Sequence, residues 1–494
     1  MLVRSIVKLA LLLTGLLGLS AGAYASPWID VGDAHTRHHL QYLVDAGTLK
    51  LPTSTWPLPW ASVKHALDEI NTNTLTADQL WSVNYLNHAL TIAMDTAVVA
   101  SRSRISKNPE IFNHFGSDSR EAEEASIGIN LMTNAFALRL AGTYVDEPSD
   151  KNNLRADGSY LAVATGNWAI GVGAVDQWWG PGHQSSMILS NNARPAPGIF
   201  IKRAKSDAFD TPVLSWLGQW QFMAFMNRLN NGEDIDSLGI QTPLLWGTRL
   251  NFVPLRGFEV GLSRTALWGG KDQDQDFGHF KDVVLNDNSK DISQQLASLD
   301  VRYGRSINRA TLAIYGQWAS KEGFTDVVDH SVALAGIEVA GMLGSTHNRI
   351  MLESSNSIEG LTAVDGNDHK DFNDNTYEHR RYSQGYRYHQ RHIAISSDSH
   401  SKTLTFAGQH YFDNGHRLTW RWIRADINSY PQTPINMDAF STVRSQVNNT
   451  QLQYRLPIFE RVMMAVGVSL FDHPIVIHQN TIDSSFELSF FHFW

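Results

Sequence analysis

The chain has no cysteine. That single absence excludes a disulfide scaffold, a thiolate metal site and a cysteine nucleophile. Charge is scarce as well: Asp, Glu, Lys and Arg make up 18% of the 494 residues, against roughly 25% in an ordinary globular domain. Past residue 25 no apolar run reaches the ~18 residues that mark a spanning helix, which excludes a helical membrane protein. Basic residues are the minority, 40 against 49 acidic, for a net charge of −9. Nucleic acid is therefore a poor partner, because its phosphates are held by basic surface. In place of these features the chain carries 15 Trp and 36 Gly with 43% hydrophobic residues, a composition that neither a disordered polymer nor a coiled coil has.

The first residues read as an export signal. Arg4 and Lys8 form a positive start, Leu9 to Leu19 a short apolar run, and Ala23-Tyr24-Ala25 a cleavage site before Ser26. The expected division is a signal peptide over 1–25, a helical bundle or plug over 26–96, and a barrel over 97–494. Removing Arg4 and Lys8 takes the net charge to about −11.

Between Asp33 and Thr96 the apolar residues recur at helical spacing. Leu40, Leu43 and Val44 form one stripe, with Asp33 as N-cap and Gly47 closing it. Val63, Leu67 and Ile70 form a second. Leu80, Val83, Leu86, Leu90 and Met94 form a third behind Thr76 and Gln79, a capping box. Beyond residue 96 the period becomes two. Leu244, Trp246, Thr248 and Leu250 alternate with Leu245, Gly247, Arg249 and Asn251, and Leu418, Trp420 and Trp422 alternate with Arg417, Thr419 and Arg421. Large apolar side chains on one face and charged ones on the other suit a wall between lipid and a wet lumen. Arg249, Arg302, Arg417 and Arg421 are expected to face that lumen. The chain ends on an amphipathic strand with Phe486, Leu488, Phe490 and Trp494.

Eighteen strands fit, from 97–106 to 485–494, because bacterial barrels have even strand numbers with short turns at one end and long loops at the other. The long connections are expected at 107–124, 146–157, 177–197, 227–243, 266–295, 320–330, 356–401, 426–445 and 471–484. The segment 392–398 is left in a loop, since counting it would break parity. The predicted fold class is thus mostly β: an 18-stranded antiparallel transmembrane barrel with a small N-terminal helical bundle.

At this point the chain resembles the capsule-assembly outer-membrane lectins called Wzi. The resemblance rests on Ser54-Thr55-Trp56-Pro57-Leu58, Trp178-Trp179-Gly180-Pro181-Gly182, Asn191 to Ile201 and Gly385-Tyr386-Arg387-Tyr388. It implies an 18-stranded barrel in the Gram-negative outer membrane, a periplasmic helical plug, and capsular polysaccharide bound at the outer face to anchor it to the cell. Polysaccharide export machinery is the further partner it implies, beside outer-membrane lipid.

Sugar rings combine an apolar face with a fringe of hydroxyls, so a glycan site pairs flat aromatics with planar hydrogen-bonding groups. Trp178 and Trp179, with His183 behind them, are one candidate set; the alternative is that the tryptophans anchor at the interface or plug the lumen mouth. The second set lies between His379 and His392, where Arg380, Arg381, Arg387 and Arg391 alternate with Tyr386 and Tyr388 and no acidic residue intervenes. Arginine forks pair with carboxylates, which points to an acidic capsular polysaccharide; the alternative is pairing with lumen carboxylates. Asp272, Asp274 and Asp276 fail as a calcium loop, since glycine falls at Gly278 and no Glu takes the twelfth position. No metal or cofactor is expected. The chain has no Gly-x-Ser-x-Gly, His-Glu-x-x-His or P-loop, so binding is expected rather than catalysis. The competing function is a porin for sugars or small acids.

Overall fold

The computed structural model describes residues 26–95, 97–148, 150–230, 241–285, 293–321, 331–358, 376–379, 381–382, 384–429, 444–477 and 480–493. Residues 1–25, expected to be a signal peptide, and Arg380 and Trp494 lie outside them. The described strands close into an 18-stranded antiparallel barrel. In chain order they are β1 (Ala97–Ser106), β2 (Glu123–Met132), β3 (Phe136–Asp146), β4 (Tyr160–Thr165), β5 (Trp168–Gly173), β6 (Gly198–Arg203), β7 (Gln219–Arg228), β8 (Leu244–Leu255) and β9 (Phe258–Trp268). They continue as β10 (Ser293–Ile307), β11 (Ala310–Ser320), β12 (Ser331–Leu343), β13 (Thr346–Asn356), β14 (Lys402–Phe412), β15 (Arg417–Ile427), β16 (Ser445–Phe459), β17 (Val462–Ile477) and β18 (Asn480–Phe493). Closure comes from β18 pairing with β1, from Glu487 opposite Ser106 to Phe493 opposite Ala100.

Burial along each strand is inverted relative to a soluble protein. Ile127, Ile129, Leu140, Ile199, Ile314, Leu352 and Phe486 are exposed on the outside, while Arg249, Asn251, Glu259, Asp300, Arg302, Glu338, Arg349, Glu353 and Arg421 are buried inside. An apolar belt around a charged interior is what a lipid-facing barrel requires. Arg417, expected in the same set, is half-buried.

Three helices precede the barrel: α1 (Ala34–Asp45), α2 (Trp60–Asp68) and α3 (Ala77–Ala93). Asp33 caps α1 by accepting from the Thr36 N–H at 2.9 Å, and Gly47 follows its end with φ +70°. Thr76 and Gln79 form the reciprocal capping box of α3. The helices pack on one another through Leu40, Leu43, Trp60, Val63, Val83 and Leu86. A fourth helix, α4 (Phe277–Leu285), lies in the loop after β9, where Phe280 and Val283 cover Trp268 and Ala266. Asp276 accepts from the His279 N–H at 2.8 Å and so begins this helix, a helix-capping role for one of the three acidic residues of that loop.

Two expectations are corrected. The connection expected at 471–484 is not a long loop: β17 runs on to Ile477 and β18 begins at Asn480, with a register shift between Leu470 and Ile475. Ile475, Ile477 and Ile482 turn inward onto Ile423, Ile427, Val447 and Phe112, and that burial carries the hairpin past Asp472, His473 and Pro474. The eighteen expected strands include one over 213–226, which instead starts at Gln219. A 3-10 turn at Ser215–Leu217 takes its place and leaves Trp216 exposed at the barrel's helical end.

Candidate functional site

The lumen is occupied from two directions. From the helical end, Thr55–Trp56 forms a two-residue pairing with Trp178–Trp179, which descends from the opposite end. All three indoles are fully buried. Trp178 Nε1 donates to the Gly182 carbonyl at 3.1 Å and Trp56 Nε1 to the Thr53 carbonyl at 2.8 Å. Phe115 stands edge-on to both rings, at 5.1 and 5.5 Å. Arg37 of α1 donates to the Pro181 and Gly182 carbonyls at 2.7 and 2.9 Å and stacks over Phe115. Gly180 sits at φ +141°, and a Cβ there would fall 2.6 Å from the Gln317 side chain. Only glycine allows both the turn and that approach.

Charged wall residues fasten these segments. Glu353 accepts three successive backbone N–H groups, from His183 at 2.7 Å, Gln184 at 3.1 Å and Ser185 at 2.8 Å, and the Tyr315 hydroxyl at 2.9 Å. Glu259 accepts the Thr53 and Ser54 N–H groups at 2.8 and 2.9 Å. Arg249 joins Asp300 at 2.6 Å to Thr55 at 2.6 Å. Arg302 bridges Asp45 of α1 and Glu338, the latter at 2.5 Å, and Arg349 holds the other oxygen of Glu338 at 2.5 Å. His183 Nε2 lies 2.7 Å from Glu338. Burial pushes the His183 imidazole down to about 3, so at neutral pH the ring beside that carboxylate is uncharged.

Over this filling the loop that follows β13 folds inward. Arg387 is buried and paired with Asp398 at 2.6 Å and Glu378 at 2.9 Å, with Ser399 at 2.7 Å. Tyr386 donates to the Ile188 carbonyl at 3.0 Å, and Tyr377 to the Met187 carbonyl at 2.7 Å. Arg391 is half-buried and donates to the Arg120 carbonyl at 2.5 Å. Tyr388 is buried near Arg194 and Asp150. Burial would raise the Asp150 carboxyl, but Arg155 and Arg194 outweigh it and hold it below the usual carboxylate range. The segment 392–398 stays in the loop, with Arg391–His392 paired only to Arg387–Tyr388.

The structure therefore brings Trp178, Trp179, His183, Tyr386, Arg387 and Tyr388 together as packing of the lumen and its mouth rather than on an open face. The pairing alternative for the arginines is realised at Arg387, though its partners are loop carboxylates and not wall ones. Arg381 alone among the described candidates is exposed, donating to Gln273 across loops. The sequence reading missed Glu338 and Glu353. Glu338 was legible as a lone carboxylate in an otherwise apolar strand, and Glu353 as a carboxylate on the same face of its strand as Arg349.

Against known proteins, the profile described as capsule assembly protein Wzi matches residues 94–487. A 55.8 kDa protein of the cps region of Klebsiella pneumoniae is 27% identical over 340 residues, which is 67% of this chain and 66% of that protein, just under two thirds of its length. Among solved structures, Escherichia coli Wzi, described as an outer membrane protein involved in group 1 capsule assembly and a carbohydrate-binding β-barrel, superposes with a TM-score of 0.81. It is 21% identical and the match covers 95% of this chain and 99% of that one.

Proposed function

The chain belongs to the capsule assembly protein Wzi family, an outer-membrane β-barrel family, and from that premise we propose that it is a closed, non-enzymatic lectin that holds capsular polysaccharide on the cell surface. In this reading the helical end faces the periplasm and is the end offered to polysaccharide export machinery. The long loops face outward, where an acidic polymer meets them. The observation that carries the reading is the filled lumen: ion pairs and buried hydrogen bonds fix the Trp178–Ser190 segment and the folded-in loop inside the barrel, so the loop surface remains to meet a chain too large to enter. Arg381 is the proposed contact, with Arg380 beside it in the sequence. Arg387, Tyr386, Tyr388, Trp178, Trp179 and His183 act as the framework beneath, and Arg391 ties that framework to the loop before β2.

Exposed charge contacts contribute about 0.2–1 kcal/mol each, but a polymer repeats them, and repeated weak contacts hold by avidity. Replacing Arg380 and Arg381 with Ala should release capsule from cells into the medium with normal heat-modifiable gel mobility. Unchanged retention in a properly folded barrel would remove these residues from the site. Capsule that is equally retained in a deletion of the whole protein would overturn the lectin reading itself.

A further inference from the structure

α1 carries His38 and His39 into the lumen, and β13 presents His347 opposite them at its second residue. The three imidazoles are 1%, 0% and 0% exposed. One ring nitrogen from each lies within 4.8 Å of the other two. His38 Nε2, His39 Nε2 and both nitrogens of His347 have no hydrogen-bond partner. Buried polar atoms are normally satisfied, so three buried rings brought this close together, each with an unpaired nitrogen, are an unexplained group. We propose that His38, His39 and His347 form a binding site for a late first-row transition-metal ion of the Zn2+ class, joining the plug helix to the barrel wall.

The orientation of the rings suits the role. His39 Nδ1 lies 3.0 Å from Ser82 Oγ of α3, an outer partner of the kind that fixes a ligating imidazole's tautomer and leaves Nε2 free for a metal. His347 is stacked on Trp81 at 4.1 Å and 24°, which fixes its plane. His38 Nδ1 receives a long contact from Arg349 Nε at 3.3 Å. Ligation through Nε2 moves the proton to Nδ1 and gives up that contact, while Arg349 keeps Glu338 at 2.5 Å and the His38 carbonyl at 3.1 Å. The guanidinium charge nearest the site is thereby already balanced. Three imidazoles without a carboxylate select zinc, copper or nickel over calcium or magnesium, which take oxygen ligands. Three protein ligands leave one tetrahedral position for a small molecule.

The test uses the full-length barrel purified in detergent, stripped with chelator, dialysed against zinc and assayed for metal per chain. Wild type should hold one equivalent more than His347→Phe, which keeps the ring against Trp81, and one more than His39→Ala. Cobalt in place of zinc should give visible absorption bands in wild type alone. Zinc should raise the unfolding temperature of wild type and leave both variants unmoved. A His416→Asn/His473→Asn variant, which removes one half-buried and one exposed imidazole away from the site, should retain the equivalent. Equal metal content in wild type and a folded His347→Phe, or zinc uptake without any shift in unfolding temperature, would overturn the site.

Discussion

Glu353 shows how much one side chain can do in this barrel. Its carboxylate gathers three consecutive N–H groups and a tyrosine hydroxyl, and so gives a polar anchor to a loop that has no strand partner at that point. Removing the acceptor strands these buried donors, at a cost of about 1–3 kcal/mol each. Glu353→Ala should therefore lower stability by that order, while Glu353→Gln, which can still accept, should lose less; urea unfolding of the detergent-solubilised barrel measures both. Histidines set the response to acid. Burial holds His38 and His39 well below their ordinary value, with Arg349 adding to the effect, and takes His183 and His392 down to about 3. The unfolded chain binds protons at these rings below about pH 6.5 and the folded one does not, so their contribution to stability is present above that pH and is lost as pH falls from 6.5 toward 3. Glu110 opposes this. Burial pushes its carboxyl up to about 7, so it adds stability as pH falls from 7 to 4.5. Each ring changes the balance by at most about 1.4 kcal/mol per pH unit, and the rings that burial holds low, which also include His35, His114 and His389, outnumber the carboxyls that burial raises outside the barrel strands, Glu110, Asp45 and Asp176. The unfolding temperature should drop on acidification below 6.5, and Glu110→Gln should steepen the drop. A flat profile between pH 6.5 and 4 would contradict it.

The elements themselves were largely legible, since each is specified locally. Asp33, Thr76 and Gln79 announce helix starts, and Asp33→Ala should cost about 1 kcal/mol by leaving the Thr36 N–H without its acceptor, read as a small fall in unfolding temperature. Alternation located the strands because a charged inner face and an apolar outer one differ at every residue, as Arg249 and Leu250 do. It failed where that contrast fades. Around Asp472 and Pro474 the pattern reads as a loop, yet Ile475 and Ile482 find a buried partner set contributed by β15 and β16, information held elsewhere in the chain. The surroundings of the binding candidates were hidden for the same reason. Tyr386 and Arg387 were recognisable as groups that bind, but their partners Ile188, Thr265 and Asp398 are set by how the loop folds. The histidine group was not legible, because 308 residues separate His347 from His39.

At the scale of the whole molecule the barrel's own diameter poses the question its filling answers. Eighteen strands enclose a lumen wide enough for water and solutes, and an empty one would make the porin reading correct. Here the interior is spanned by a chain of contacts: Arg302 links α1 to Glu338, Glu338 links Arg349 and His183, and Glu353 fixes the segment after Trp179, above which Tyr377 and Tyr386 close on Met187 and Ile188. Opening a path means breaking buried ion pairs on more than one wall, and each such break costs several kcal/mol. The purified protein should accordingly show no steady ohmic conductance in a planar bilayer. Arg302→Ala leaves Asp45 and part of Glu338 without a counter-charge and loosens α1 from β10 and β12. That variant should display brief, irregular openings, whereas Arg381→Ala, which touches only the exposed rim, should stay as silent as the parent. Porin-like conductance in the unaltered protein would mean that the lumen contacts exchange freely with water and would return the transport function to first place.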